Sequence, residues 1–235
     1  MLKRIQGGWA RSSQELSGTD RFWQRSAPGW LRVALLKRLL KQYGRGKLLD
    51  AGAGTLSCRY LAQPHCEEYV SIDFQRTHPE LSMVADIQKL PFGEGSFETV
   101  LCVEVLEHVP HPQQAAKELF RVLKPGGHLI VTVPHYMYAH NEPYDYFRYT
   151  KYGLRLLLEE SGFHIIMLEA SGGFLSFLHH IAATLLIGLF YEIPLLGRLV
   201  VAFCRGTGRA IAWLDEKFDR KKLLALNYVA VARKP

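Results

Sequence analysis

Cysteine is scarce in this 235-residue chain: Cys58, Cys66, Cys102 and Cys204 are all there are, and no two form a Cys-x-x-Cys pair. That spacing argues against a structural zinc and against a disulfide framework. Free thiols in a cytoplasmic protein are the expectation. No apolar signal segment precedes Trp30, which argues against secretion. There is no internal repeat and no low-complexity run. Acid is in short supply: 22 Asp and Glu face 29 Lys and Arg, for a net charge of +7. An excess of that size admits nucleic acid or an anionic membrane as partner. What is abundant is apolar material, at 48% of residues. It suffices for the core of one domain with an appendage.

The third glycine of a dinucleotide fingerprint is also missing. Leu48-Leu49-Asp50-Ala51-Gly52-Ala53-Gly54-Thr55 reads as a short buried strand running into a tight turn and a helix, yet the place of a third glycine holds Ser57. Gly52 and Gly54 remove side chains where a ligand must approach the backbone. Asp50, just ahead of them, would repel a pyrophosphate. It suits a ligand that carries an ammonium group or hydroxyls to donate. The glycine pair by itself is weak evidence, since many such pairs are only turns.

Two further strands repeat the theme. Tyr69-Val70-Ser71-Ile72-Asp73 ends in an acid placed to accept from both hydroxyls of a ribose. Met83-Val84-Ala85-Asp86-Ile87 offers Asp86 to an exocyclic amine and Ile87 to the face of a ring. The full set of predicted strands is 47–50, 69–73, 82–85, 99–103, 128–133, 164–169 and 228–232. Helical patterns stand between most of them. One is Pro112–Leu123, with Ala115, Ala116, Leu119, Phe120 and Leu123 on one face. Lys124 and Gly126-Gly127 are expected to end that helix and turn the chain. Strand–helix alternation predicts a parallel sheet covered on both faces.

Taken together, these segments resemble the class I S-adenosylmethionine-dependent methyltransferases. The resemblance rests on Asp50-Ala51-Gly52-Ala53-Gly54, Asp73, Asp86-Ile87 and Leu90-Pro91-Phe92. It continues through Ser96 to Val109 and Leu123-Lys124-Pro125-Gly126-Gly127-His128-Leu129-Ile130-Val131. It implies an α/β, Rossmann-like fold with a mostly parallel seven-stranded sheet, helices on both faces, and an apolar helical insert before the last strand. It implies S-adenosylmethionine as cofactor. Gly52 and Gly54 would lie against it, Asp73 would hold the ribose, Asp86 and Ile87 the adenine, and Asp50 would lie near the methionine amino group. Phe74, Val103 and Glu104, at the ends of the second and fourth strands, complete the expected cofactor set.

Methyl transfer from a sulfonium is an in-line displacement, so the protein chiefly aligns the partners and takes a proton from an oxygen or nitrogen acceptor. Candidate bases stand past the fourth and fifth strands, where the ligand crevice of such a sheet lies. They include Glu104, Glu107, His108, His135, His140 and Asp145, with His135 the first choice and Asp145 and His108 next. No metal is expected. If one were held, Glu104-x-x-Glu107-His108 would supply it, joined by Asp145 or His140. The loop from Pro134 to Thr150 is long and aromatic, which suits function. The stretch from Pro134 to Phe163 is similar to methyltransferases linked to bacterial envelope polysaccharide and lipid-linked glycan synthesis. That similarity implies a glycan or hydrophobic hydroxyl acceptor. A quinone precursor is the alternative acceptor, and an inactive scaffold the alternative role. Nucleic acid is disfavoured as a partner.

The basic excess gathers at the two ends. Arg21, Arg25, Arg32, Lys37, Arg38 and Lys41 lie in or before a helix predicted at Gly29–Tyr43. Arg205, Arg209, Lys217, Arg220, Lys221 and Lys222 lie near the other end. From Phe174 to Tyr191 the chain carries no charged residue, and after Pro194 a second apolar run, Leu195 to Phe203, is broken only by Arg198. A surface helix should show a polar face. A helical hairpin dipping into one leaflet of an anionic membrane, peripheral on the inner face, fits best; a dimer interface, an acceptor-lipid tunnel and a true span use the same residues. The expected divisions are a basic lid at 1–45, a methyltransferase core at 46–173 with 223–235, and the insert at 174–222.

Overall fold

The computed structural model describes residues 2–219, 222 and 224–235. Arg220 and Lys221 of the basic set lie outside the described residues.

Seven strands form one sheet: β1 (Lys47–Ala51), β2 (Glu68–Asp73), β3 (Met83–Val84), β4 (Phe97–Val103), β5 (Leu123–Pro134), β6 (His164–Ser171) and β7 (Asn227–Arg233). Their order is β3-β2-β1-β4-β5-β7-β6. The pairs β1–β2, β1–β4, β2–β3 and β4–β5 are parallel, and β5–β7 is antiparallel. The expected fold class is therefore present: an α/β sheet, mostly parallel, with a helical insert ahead of the last strand. The centre of the sheet is its driest part. Leu48, Leu49, Val100, Leu101, Leu129 and Ile130 are all 0% exposed. Burying each such side chain contributes about 1.5–3 kcal/mol.

Among the described residues, eight α-helices accompany the sheet: α1 (Leu2–Leu16), α2 (Asp20–Trp23), α3 (Ala27–Tyr43), α4 (Arg59–Ala62), α5 (Pro112–Val122), α6 (Lys151–Glu160), α7 (Phe174–Phe190) and α8 (Leu196–Phe218). The chain moves one way from β1 through β2 to β3, and the other way from β4 to β5. Right-handed crossovers in opposite directions place their helices on opposite faces.

One local expectation fails. Lys124 and Gly126-Gly127 do not form a helix-ending turn. Val122 ends α5 and Leu123 already pairs with Phe97; pairing then slips and resumes at Thr99 with His128. The glycines sit in that bulge, Gly126 at φ +77°. A Cβ on Gly127 would lie 2.8 Å from the Lys124 carbonyl oxygen. Glycine in a strand commonly marks such a place rather than the strand's end.

The division of the chain also differs from the reading of the sequence. Residues 36–170 with 227–235 form one compact unit, and residues 1–35 with 171–226 form another. The N-terminal segment and the insert thus close into a single helical unit, and residues 36–45 go with the sheet. Small residues draw α1 and α7 together: a Cβ on Gly8 would lie 2.3 Å from the Gly188 carbonyl oxygen. A small apolar cluster of Ala183, Ile187, Val201 and Cys204 joins α7 and α8, with Trp9 and Leu16 packed against it.

This helical unit buries cations. Arg25 is 5% exposed, donates to Ser12 Oγ at 2.6 Å and Ser13 Oγ at 2.9 Å, and lies 4.3 Å over the Trp9 ring. Arg32 is buried too, over Trp23. The sequence counted both in the basic excess near the first helix; their guanidinium planes stack on indoles and fill the interior. Asp215 is 0% exposed and accepts from the Gly173 and Leu175 amides, while Asp219 accepts from Phe174. The orphan amides at the start of α7 are satisfied by carboxylates from the end of α8. Large apolar side chains remain outside. Phe174, Leu178, Ile181 and Leu185 line α7, and Leu196, Leu199, Phe203 and Trp213 line α8. Among the described residues, no helix is long and apolar enough to cross a membrane.

Candidate active site

The carboxyl ends of β1, β2 and β4 meet at the glycine turn. Gly52 has φ +83° and Gly54 φ +52°, both in the left-handed region that side chains resist. The Gly52 and Ala53 amides donate to the Ile72 carbonyl at 2.9 and 2.8 Å, tying the turn to β2. The two glycines serve different ends. A Cβ on Gly52 would lie 2.4 Å from Val105 Cγ2, so that glycine is required by packing. A Cβ on Gly54 would meet nothing within 4 Å, so that glycine opens onto space. The Gly54 amide donates to Asp73 Oδ2 at 2.9 Å, and Thr77 donates its hydroxyl to the Gly54 carbonyl.

Asp50 lies beneath the turn rather than on it. It is 1% exposed, and Tyr69 donates its hydroxyl to Asp50 Oδ2 at 2.5 Å. Burial pushes the Asp50 carboxyl up to about 7, against the Tyr69 hydrogen bond, which lowers it, and with help from the Asp73 charge, which raises it. Burial also raises Asp73, offset by amides at Gly54, Gln75 and Phe74. Tyr69 is a residue that sequence reasoning missed. Its signal was available: two places before Ser71, the strand partner of Asp50, it lies on the same face of β2.

The adenine set is less well assembled. Asp86 is exposed and accepts from the amide and the side chain of Gln88, at 2.8 and 3.1 Å. Ile87, offered as the ring's platform, is 7% exposed and belongs to the main core with Leu90 and Phe97. Its side chain is spent on packing. Val103 is likewise 7% exposed. Phe74 is 53% exposed beside the turn and makes an edge contact with Tyr144, ring centres 5.5 Å apart.

Glu104, just past the end of β4, has φ +55°, a strained setting for a non-glycine residue. Thr132 Oγ1 donates to its Oε1 at 2.8 Å, and Asn227 Nδ2 lies 3.2 and 3.0 Å from its two oxygens. Thr132 and Asn227, from β5 and β7, were also missed. Their link to Glu104 spans more than a hundred residues for Asn227 and has no local signature.

A second cluster stands just beyond. Glu107 and His108 occupy a 3₁₀ turn (Leu106–His108), and the Pro134–Thr150 loop folds over them: the Tyr146 and Phe147 amides donate to the Glu107 carbonyl. Glu107 is 0% exposed, with Oε1 at 3.7 Å from His108 Nε2 and 3.9 Å from His140 Nε2. The two imidazoles meet edge to face at 4.8 Å. Asp145 is gripped by both terminal nitrogens of Arg148, at 2.6 and 2.8 Å, and accepts from the His140 amide at 2.8 Å. The Arg148 bonds hold the Asp145 carboxyl down to about 2. That removes Asp145 from the candidate bases: it is an anchor for the loop. His135 packs beside the Tyr136 and Tyr228 rings, 4.4 and 5.2 Å away. Burial lowers its imidazole below the ordinary value.

A glycine turn open above Gly54, at the carboxyl ends of parallel strands, is the arrangement that decides the comparison. Residues 49–131 match the methyltransferase domain family. A demethylmenaquinone methyltransferase of Beutenbergia cavernae is 35% identical over 123 residues, covering 48% of this chain and 48% of that protein. The chain thus spans about a third to a half of the length of the curated relatives it matches. Among solved structures, the 4+2 cyclase SpnF has a TM-score of 0.60 at 21% identity, covering 87% of this chain and 80% of that one. The 1,6-didemethyltoxoflavin-N1-methyltransferase of Burkholderia thailandensis, solved with its acceptor and S-adenosylhomocysteine, has a TM-score of 0.56 at 17% identity, covering 86% and 77%. At these identities the structures speak for the fold alone: it is the Rossmann-like fold of class I methyltransferases. A cyclase among them shows that the fold does not dictate the reaction.

Proposed function

We propose that this protein is an S-adenosylmethionine-dependent methyltransferase, directed to a hydroxyl on a lipid-linked glycan or another hydrophobic acceptor at a membrane face. The observation that carries the cofactor reading is Gly54. Its missing side chain opens onto space, and its amide is held by Asp73, the acid that ends the neighbouring strand. Asp73 Oδ1 takes a long hydrogen bond from the Gln75 amide at 3.5 Å and has a further lone pair to offer a ribose, and Asp50 lies below with Tyr69. The fit is good at this end and weaker at the adenine end, where Gln88 already engages Asp86.

When bound, S-adenosylmethionine supplies a methyl group on a sulfonium. The chain's own contribution is alignment and proton handling. Glu104, held by Thr132 and Asn227, fixes the end of β4. The exposed Phe74, Tyr144 and Tyr146 offer flat apolar surface for an acceptor. His135 is the proton acceptor in this reading, because an imidazole kept neutral by burial has a lone pair ready at pH 7. The exposed apolar faces of α7 and α8 supply the affinity for a lipid surface, with Arg198, Arg209 and Lys217 exposed on α8.

The matched demethylmenaquinone methyltransferase supports a second acceptor, a quinone precursor, which the same aromatic loop would suit. Calorimetry with S-adenosylmethionine tests the shared core of both. Wild type should release heat and Asp73→Ala should lose binding by about tenfold or more, since hydrogen bonds to charged groups contribute ~1.5–3 kcal/mol. No heat from the wild type would leave the inactive scaffold as the reading. Mass spectrometry of lipid and glycan extracts from a deletion strain then separates a missing methyl on a glycan from one on a quinone.

A further inference from the structure

We propose that Glu107, His108 and His140 form a binding site for a divalent cation of the first transition series. The argument is one of proton bookkeeping. His108 Nδ1 lies 2.5 Å from the Tyr144 carbonyl oxygen, and His140 Nδ1 lies 3.2 Å from the Tyr138 carbonyl oxygen. A carbonyl only accepts, so each Nδ1 carries the hydrogen and each Nε2 is left with a lone pair. Arg148 Nη2 comes within 3.4 Å of His140 Nδ1, yet its two hydrogens go to the Tyr138 carbonyl at 2.9 Å and to Asp145 at 2.8 Å. It does not overturn the tautomer.

Both lone pairs point to one place. The Nε2 atoms of His108 and His140 stand 3.7 and 3.9 Å from Glu107 Oε1, and ligand atoms of the three residues lie within 4.8 Å of one another. Three electron-pair donors thus stand together around the buried Glu107 carboxylate, with His108 and His140 partly open to solvent, and with both hydrogens on Nδ1 neither ring donates to Glu107. A cation bonded to each at ~2.1 Å spans donors ~3–4 Å apart, so small rotations of the two rings complete the geometry. One carboxylate oxygen and two imidazole nitrogens suit zinc, cobalt, manganese or iron better than calcium. The supporting layer is built as well: carbonyls hold the far nitrogens, and Asp145, clamped by Arg148, pins the His140 backbone. Glu104 is not part of this site, since Thr132 and Asn227 hold it.

Binding of the cation stands independently of the methyltransferase reading; only its use there, polarising an acceptor oxygen, rests on it. Full-length protein is freed of metal with a chelator, checked for folding by circular dichroism, and titrated with Co²⁺ under visible spectroscopy. Expected is the absorption of low-symmetry Co²⁺ saturating at one ion per chain, displaced by Zn²⁺. His140→Ala should weaken it about tenfold or more while the exposed His164→Ala leaves it unchanged. Glu107→Gln, which keeps the volume, should weaken it too. No Co²⁺ spectrum from the folded wild type, or an affinity that His140→Ala leaves intact, overturns the site. S-adenosylmethionine calorimetry on the same metal-free sample reads the other proposal separately, because the glycine turn and Asp73 share no residue with this cluster.

Discussion

The two compact units of this chain bury opposite things. What the sheet unit hides is mostly apolar, and the buried acids Asp50 and Glu107 stand near the carboxyl ends of β1 and β4. The helical unit hides Arg25, Arg32 and Asp215 and leaves Leu195, Phe203, Trp213 and Phe218 between 62 and 70% exposed. In the first, a buried charge marks a candidate site. In the second, buried charges hold helices together and large apolar residues stay exposed. The same observation, a buried acid, therefore carries different meaning in the two units, and its neighbours decide which.

The sharpest way to break this comparison is to truncate one phenylalanine in each unit. Phe97 is 0% exposed and meets Phe92 edge to face at 4.9 Å. Phe97→Ala should cost about 3–5 kcal/mol in urea unfolding. Phe203 on α8 is 62% exposed, so Phe203→Ala should change stability by no more than about 0.5 kcal/mol. The second variant should instead reduce sedimentation with anionic liposomes, most clearly when combined with Leu199→Ser. If Phe203→Ala unfolds the protein as readily as Phe97→Ala, that face is covered core and the membrane surface is lost with it.

Asp50 sharpens the comparison from the other side, as a charge whose burial costs stability. Its carboxyl is raised from 3.8 to about 7, first by burial, so the folded protein keeps a proton that the unfolded chain has released. This group makes stability fall as pH rises from about 4 to about 7, and above 7 the full cost is present. At ~1.4 kcal/mol per unit, Asp50→Asn should stabilise the protein by about 2–4 kcal/mol at pH 8 and by almost nothing at pH 3.5. Tyr69 keeps an acceptor in the amide oxygen. S-adenosylmethionine should bind the variant more weakly, the usual exchange of stability against function. Equal unfolding midpoints at pH 8 would mean that the buried acid is already paid for by its surroundings.

Much of this was legible in the sequence, for a physical reason. Parallel strands buried on both faces read as unbroken apolar runs, so Leu48-Leu49, Val70 to Ile72 and Leu129 to Val133 announced themselves. A glycine before a helix at a strand's end is a local signal too, and Gly52, Gly54 and Asp73 come together as expected. What was hidden is whatever depends on distant partners. Nothing near Glu104 in the chain points to Asn227, whereas Asp145 and Arg148, only three residues apart, are a local pair that sequence reasoning passed over. Arg25 and Arg32 counted only towards a basic excess because nothing local foretells that Trp9 and Trp23 will roof them. Gly126-Gly127 read as a turn because a bulge and a turn ask for the same residues.

The smallest effect on folding makes the finest test. Gly54 and Gly52 look alike in sequence and differ in what surrounds them. Gly52→Ala forces a methyl group to 2.4 Å from Val105 and should disturb the turn itself. Gly54→Ala meets no atom within 4 Å, so its cost is only that of an alanine at φ +52°, about 1–2 kcal/mol. The protein should stay folded, with its melting transition lowered by a few degrees, yet S-adenosylmethionine should no longer bind, because the methyl group stands where the ligand must lie against the backbone. A folded Gly54→Ala protein that binds as tightly as wild type would mean that the open space above this glycine is not the cofactor's, and that the ligand approaches the strand ends from elsewhere.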